Sequence, residues 1–388
     1  MIKVIIGMQW GSEGKGSVAQ ILATKDQPEL AIRVGGPNAG HSIAIPGGTY
    51  PLRHVPAAVV HKRTKLALGP ESLVLPNVLA QELRDLRKMG WLAGRPLHIS
   101  PRAAVITKED IEEDNKDVEA RGSESTRKGI GVTRAKKARR LAKLVGDEDD
   151  NTIRQLVEEE LVVIEDPDLD WHIQEEDDIH IESTQGFLLS LNYGDYPHVT
   201  SRDLTVTQAL NDAGFGNLPT DKWDIYTVGV ARTFPIRIAG RSGPLPGEVS
   251  WEELAAATNG YIQPELTTVT RKVRRIARWN DDLFVRAVKT LTPNLVFLTF
   301  MDYLEPGAGR AAVALKEAMD ADWQNFGRNI HEWNHELVLR GRHLTAAFVP
   351  LLQRHAHRLT SGGYKARNFK LGATIGQAIG DGPDSLVF

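Results

Sequence analysis

An α/β fold on a large, mostly parallel, twisted central sheet is what this sequence predicts. Three observations carry that expectation. Short apolar runs alternate with helix-patterned stretches along most of the chain. The first run, Val4-Ile5-Ile6, passes through a glycine-rich turn, Gly7 to Gly16, into the helical pattern Ser17 to Ala23. A second glycine-rich turn, Gly35 to Ser42, follows the second run.

Val4-Ile5-Ile6 reads as a strand buried on both faces. The strand, tight turn and helix N-terminus together make an anion site, because unpaired backbone N–H groups and the positive helix end converge there. Lys15 adds a mobile cation suited to phosphate. The P-loop pattern is half met: Gln9 stands at the first glycine position, and Gly16 follows Lys15 where Ser or Thr belongs. Further strands are expected at Leu30 to Val34, Lys65 to Leu68, Leu97 to Ile99, Asp224 to Val228 and Leu295 to Thr299. Helices are expected at Val78 to Met89 and Ala311 to Met319, and a hairpin turn at Pro46-Gly47-Gly48-Thr49. A basic run from Arg134 to Lys143, followed by acidic clusters, reads as a solvated helical excursion over about 100–175. No domain boundary is visible, so 1–388 is taken as one domain.

Composition narrows the function. The chain has 388 residues with 41% hydrophobic and 25% charged, ordinary values for a globular protein. A balance of 47 basic to 50 acidic side chains offers no general attraction to nucleic acid or membrane. The absence of cysteine excludes disulfides, thiolate catalysis and cysteine-ligated metals. With no signal segment and no long apolar run, a cytoplasmic protein is expected.

Several clusters carry chemistry. Loops at the carboxyl ends of adjacent strands in a doubly wound sheet share one crevice, so Gly36 to Ser42 is expected to face the first loop. His41 there titrates near neutrality and suits proton transfer or charge stabilisation at a phosphoryl group. Ser125-Thr126-Arg127-Lys128-Gly129, with Arg139 beyond it, combines hydroxyls, glycine amides and cations that suit a phosphomonoester. Gln185, in Glu182 to Gly186, suits a base edge, and Tyr196 to Ser201 follows. Thr267 to Arg275 offers hydroxyls and guanidinium forks for carboxylates. Thr299 to Asp302 closes a strand, and Gly380 to Asp384 forms a late turn; either suits a nucleotide base.

In order and spacing these clusters resemble adenylosuccinate synthetase along nearly the whole chain. The matching segments are Gln9-Trp10-Gly11-x-Glu13-Gly14-Lys15-Gly16, Gly36-Pro37-Asn38-Ala39-Gly40-His41, Arg127-Lys128-Gly129-Ile130-Gly131, Gln185-Gly186, Tyr196 to Ser201 and Gly382-Pro383-Asp384. The resemblance implies a P-loop-like, GTPase-related fold and a ligase. Such an enzyme transfers a γ-phosphate to the 6-oxygen of a purine monophosphate, and aspartate's amine then displaces it. It implies that Gly11, Glu13, Gly14, Lys15, Gly16, Ser17, Gly40, His41, Ser42, Asp302, Gly382 and Pro383 meet the phosphoryl donor. Ser12, Asn38, Ser125, Thr126, Lys128, Arg139, Gln185 and Thr200 would hold the acceptor nucleotide, Arg139 being shared across a homodimer. Thr267, Thr268, Val269, Thr270 and Arg274 would close over aspartate. Lys15, His41 and Ser12 would be catalytic, and Ser12 with the Gly40 carbonyl would touch Mg²⁺.

Three departures shape the expected substrate. The family's loop carries an aspartate, its base toward purine N1, where Ser12 stands. A serine lacks that basicity, which leaves two routes for the N1 proton: a relay by Ser12 through water, or direct receipt by a substrate phosphate. The serine does leave room for a 2-amino group. Phe300 replaces the lysine before Asp302, and Ser385 the arginine after Gly-Pro-Asp, which turns the donor from GTP toward ATP or dATP. The pattern is similar to the bacteriophage branch that joins L-aspartate to dGMP on the route to diaminopurine DNA. The ordinary reaction of IMP with GTP, and a nucleotide-responsive binding protein without synthesis, are the alternatives.

Overall fold

The computed structural model describes residues 1–303, apart from 47, 122–125, 148, 166–176, 217–222, 258–261, 268–271 and 301–302, together with 370–373. Nine strands form one sheet in the order Lys370–Ala373, Leu295–Thr299, Ile225–Arg232, Ile2–Gly7, Ile179–Glu182, Leu30–Arg33, Lys65–Leu68, Leu97–Ile99 and Val162–Ile164. Every neighbouring pair is parallel. All five of the later strand expectations fall in this sheet. The hairpin also forms, with His41–Ile45 antiparallel to Gly48–Leu52.

The strands alternate between two buried faces, which is why they read as unbroken apolar runs. Ile5 packs with Val18 and Leu22 of the helix Lys15–Asp26 and with Leu79 and Leu83 of the helix Pro76–Lys88. Ile2 and Val4 face the other way, toward Ala209 of the helix Val206–Ala213. Ile6 shares that second side with Phe284 and Val288 of the helix Asp281–Leu291. Burying each such side chain contributes about 1.5–3 kcal/mol, so the sheet is a rigid platform.

Three helices, Lys108–Arg121, Ile130–Ala138 and Asn151–Glu158, leave the sheet beyond Ile99. The chain rejoins the sheet edge at Val162–Ile164, earlier than the pattern of charges implies. The helix Ala311 to Met319 and the turn Gly380 to Asp384 lie outside the described residues. No helix among the described residues is long and apolar enough to cross a membrane.

Candidate active site

Register brings charge to one end of the sheet. Glu182 pairs laterally with Ile5 on one side and Arg33 on the other, and Arg232 pairs with Thr299. Four polar residues thus end apolar strands around the loop that follows Gly7, where open α/β sheets bind ligands.

That loop is held from within. Gly11, Ser12 and Gly14 all take left-handed backbone, with φ of 89°, 58° and 82°, which turns the chain sharply before the helix begins at Lys15. Glu13 is fully buried, and its Oε1 accepts from the backbone N–H of Gln9 at 3.0 Å and of Gly11 at 2.9 Å. Its Oε2 takes Lys15 Nζ at 2.6 Å. The carboxylate expected among the phosphoryl-donor contacts is therefore turned into its own loop, where it holds Lys15 and two amides. Thr299 Oγ1 donates to the Glu13 carbonyl at 2.7 Å and ties the loop to a neighbouring strand end. Ser17 is half-buried in the first helical turn.

The second loop lies against the first. A Cβ on Gly16 would stand 2.8 Å from His41 Cβ, so glycine there permits the close approach. His41 is buried, and its Nδ1 meets Glu182 Oε1. Glu182 Oε2 accepts the Ala57 N–H at 2.6 Å, and Arg33 approaches Oε1 at 3.4 Å. Burial, then the Arg33 cation and more weakly Lys15, push the imidazole down to about 4 against the opposing pull of Glu182. Burial alone would raise Glu182, but His41, Arg33 and the Ala57 amide outweigh it and hold the carboxyl below its usual range. The free protein thus holds His41 neutral. The expected general acid is a neutral imidazole in that state. Gly40 and Ser42 are exposed on either side of His41.

Asn38 Oδ1 accepts from Gln185 Nε2 at 3.1 Å, joining two expected acceptor-site residues. The Thr126 to Gly129 loop lies nearby, since a Cβ on Gly36 would collide with Ile130 Cδ1 at 2.6 Å. Gly129 caps the helix Ile130–Ala138 in left-handed backbone, and its N–H donates to Asp114 at 2.9 Å. Thr126 and Lys128 are half-buried there, whereas Arg139 is exposed one helix length away, about 13 Å along the axis. Thr200 is fixed through its backbone N–H to the Leu189 carbonyl at 2.8 Å.

The Thr267 hairpin reaches the first loop from far along the chain. The Thr267 N–H donates to the Lys272 carbonyl at 2.8 Å, the Lys272 N–H donates back to Thr267 Oγ1 at 3.0 Å, and Arg274 Nη1 donates to Ser12 Oγ at 2.8 Å. Arg232, fully buried, donates to the Ser12 carbonyl at 3.2 Å and pairs with Glu265. Tyr303 adds a hydroxyl to Glu265 at 2.8 Å. The Arg232 guanidinium lies 3.8 Å from the centroid of the Phe300 ring. Phe300, in the Thr299 to Asp302 segment expected to suit a nucleotide base, here stacks on an arginine. Ser125, Thr268, Val269, Thr270, Asp302, Gly382 and Pro383 lie outside the described residues.

The donors expected for Mg²⁺ do not fit a resident cation. Ser12 Oγ already accepts from a guanidinium, and Arg53 stands beside Gly40, with Nη1 3.1 Å from where a Cβ would be. The loop's one carboxylate, Glu13, is committed to Lys15. Magnesium beside phosphates usually takes one or two carboxylates. Among the described residues no cluster of three or more His, Asp or Glu could hold a metal.

Arg33, Arg232 and Glu265 escaped the sequence reading, and Glu182 entered it only as the first residue of the Gln185 cluster, without a role of its own. A signal for three of them exists: each is a charged residue ending an apolar strand, at the end where α/β ligands bind. Glu265 has no such signal.

Comparison with known proteins places this arrangement. The family model for adenylosuccinate synthetase matches residues 4–166 and 151–309. The adenylosuccinate synthetase of Methanococcus vannielii is 33% identical over 306 residues, covering 78% of this chain and 85% of its own length. That of Thermococcus sibiricus is 36% identical over 287 residues, covering 73% and 78%. Among solved structures, the succinoaminodeoxyadenylate synthetase of cyanophage S-2L, bound to dGMP and to dATP as an energy donor, superposes with a TM-score of 0.67 at 29% identity. It covers 82% of this chain and 89% of that one. The fully ligated adenylosuccinate synthetase of Plasmodium falciparum superposes at 0.65 with 21% identity, covering 78% and 77%, which shows the shared fold. A family model that matches most of the chain, and relatives about a third identical over three quarters of it, show that the chain belongs to the adenylosuccinate synthetase family of carbon–nitrogen ligases.

Proposed function

We propose that this ligase joins L-aspartate to C6 of dGMP, with ATP or dATP as phosphoryl donor, and gives 2-amino-2′-deoxy-N6-succinyladenylate. The family generally uses Mg²⁺; here it arrives on the nucleotide's phosphates as part of the substrate. The observation that carries the reading is Ser12: exposed, uncharged, and held by Arg274 where the family places a carboxylate. A guanine 2-amino group fits beside a short neutral side chain. The cyanophage neighbour bound to dGMP and dATP supports the same acceptor and donor.

In this reading Lys15 and the loop amides neutralise the transferring phosphoryl group, which needs alignment and charge balance more than covalent help. Negative charge beside a buried imidazole favours its protonated form, so a bound triphosphate would act against the burial that depresses His41 and let the ring support the moving charge. Aspartate's amine then forms the C6–N bond as the phosphorylated 6-oxygen leaves as phosphate. Arg274 and the Thr267 hairpin receive the aspartate carboxylates. Asn38, Gln185, Thr126, Lys128 and Thr200 hold the acceptor, Arg139 acts across a dimer, and residues 1–388 work as one unit in the cytoplasm.

Phosphate release is expected only when dGMP, MgATP and L-aspartate are all present. A competition among dGMP, GMP and IMP decides the acceptor. Dominant turnover of IMP would return the chain to the ordinary synthetase reaction, and nucleotide binding without any aspartate-dependent turnover would make it a binding protein.

A further inference from the structure

A chain of directed hydrogen bonds runs from the far side of the sheet into the acceptor site. Asp212, fully buried on the helix Val206–Ala213, pairs through Oδ2 with Arg202 Nη1, and its Oδ1 accepts from Gln208 Nε2 at 2.7 Å. Arg202 Nη2 donates to Thr184 Oγ1 at 2.9 Å. Thr184 Oγ1 donates to Gln185 Oε1 at 3.0 Å. Gln185 Nε2 donates to Asn38 Oδ1 at 3.1 Å. Arg202 and Thr184 are both buried.

The direction is imposed at its start. A guanidinium has no acceptor, so Thr184 must receive from Arg202, and its single hydroxyl proton then passes to the Gln185 carbonyl oxygen. With that oxygen engaged, the Gln185 amide faces Asn38 with its nitrogen, and Asn38 answers with its oxygen. Burial pushes Arg202 down to about 9, with Arg134 adding to the effect, yet the group is still charged at neutral pH. Gly35 of the second loop makes room for this contact: its φ is 111°, and a Cβ there would overlap Thr184 Oγ1 and stand 2.9 Å from Arg202 Nη2.

We infer that Arg202 and Thr184 are positioning residues that lock Gln185 and Asn38 as a donor-only pair, which makes the acceptor site a reader of 6-oxopurines. Each amide oxygen already accepts one hydrogen bond inside the relay and is turned toward it. What the pair can offer a ligand is the second Gln185 Nε2 hydrogen and the Asn38 Nδ2 hydrogens. A 6-oxopurine presents two acceptors along this edge, O6 and N7, whereas a 6-aminopurine presents one acceptor and one donor. A donor-only pair therefore accepts the substrate edge and opposes a purine that already carries nitrogen at C6. Without the Thr184 hydroxyl, Gln185 is free to turn its oxygen outward and tolerate the 6-amino edge.

The inference rests on the acceptor-site reading above, and its test separates the two. Binding of dGMP, IMP and 2-amino-2′-deoxyadenylate is measured by calorimetry on the full chain without donor or aspartate. The wild type is expected to prefer both 6-oxo nucleotides over the 6-amino one by roughly tenfold or more. Thr184→Val, which keeps the shape and removes the hydroxyl, should lose that preference and weaken 6-oxo binding by roughly tenfold, leaving the KM for ATP unchanged. Thr184→Ser should restore both. Equal wild-type affinity for 6-oxo and 6-amino nucleotides overturns the inference, even where the Val variant fails to fold. So does unchanged discrimination in a folded Thr184→Val. A wild type that prefers IMP to dGMP overturns the proposed acceptor alone, since the 6-oxo comparison then runs on IMP.

Discussion

Two groups of charged residues flank the Gly7 to Gly14 loop, and they solve opposite problems. On one side Glu182 gathers His41, Arg33 and the Ala57 N–H, so a buried carboxylate with several partners fixes a neutral imidazole. On the other side Arg232 and Arg274 converge on Ser12, one through its carbonyl and one through its hydroxyl. Glu265 is the carboxylate there, and Arg232 holds it. The first cluster is nearly closed in charge and keeps its cation and anion for each other. In the second, Arg274 meets the loop through a neutral hydroxyl, and the Glu265 carboxylate acts on its charge as well. An aspartate at this point would form an ion pair with Arg274 instead. The difference teaches that position 12 belongs to the arginine side of the loop, whereas His41 answers to Glu182, so a substitution at 12 is expected to act on Arg274 first.

The comparison breaks first at His41. If the closed cluster exists to present this imidazole, His41→Asn should lower kcat by about 10²–10⁴-fold with binding of dGMP little changed. A near-normal kcat in steady-state phosphate release would remove His41 from the chemistry. Glu265→Gln tests the open side. It leaves Arg232, fully buried, facing an amide instead of a carboxylate, and should destabilise the fold by about 2–3 kcal/mol in urea unfolding. An unchanged midpoint would mean that the Phe300 and Ser12 contacts suffice for Arg232. Ser12→Asp sharpens the contrast between the sides. Ser12 already has left-handed backbone, which aspartate tolerates, and the new carboxylate would pair with Arg274 at the present 2.8 Å contact. The ratio of kcat/KM for dGMP over IMP should fall roughly tenfold, with His41 dependence intact. A ratio that stays put would detach position 12 from acceptor choice.

How much of this was legible in sequence follows from the same contrast. The sheet was legible because its strands are buried on both faces and read as apolar runs between turns. Gly14, Lys15, Asn38, Gly40 and His41 were legible because strand-to-helix turns keep their chemistry in short contiguous stretches. The partners of those residues were not. Glu182 meets His41 only through the lateral register that sets it beside Arg33 and Ile5. Arg274 meets Ser12 across a separation of 262 residues, and no local pattern encodes that distance. Glu13 misled for a related reason: in a phosphate loop a carboxylate reads as a contact, and only the fold shows it turned inward. Phe300 lies in a segment that suits a nucleotide base, and nothing local in the sequence encodes the Arg232 guanidinium stacked on its ring.

The smallest expected effect concerns acid, and it isolates the closed cluster. His41 titrates near 4 in the fold, where burial holds it neutral, against an unperturbed value near 6.5 in the unfolded chain. Between those values the unfolded state binds the extra proton, so stability rises with pH across that window and is fully present above about 6.5. Lowering the pH from 7.5 to 5.5 should therefore cost about 1 kcal/mol through this one group. Glu182, held low in the fold, acts in the same direction but below the ordinary carboxylate range, so it stays silent at pH 5.5. Urea unfolding of wild type and His41→Asn at the two pH values separates the contribution from that of the other histidines. The variant should lose about 1 kcal/mol less than the wild type on acidification. Equal losses would mean that His41 is not held neutral by its surroundings, and the cluster around Glu182 would then carry a charged imidazole before any nucleotide arrives.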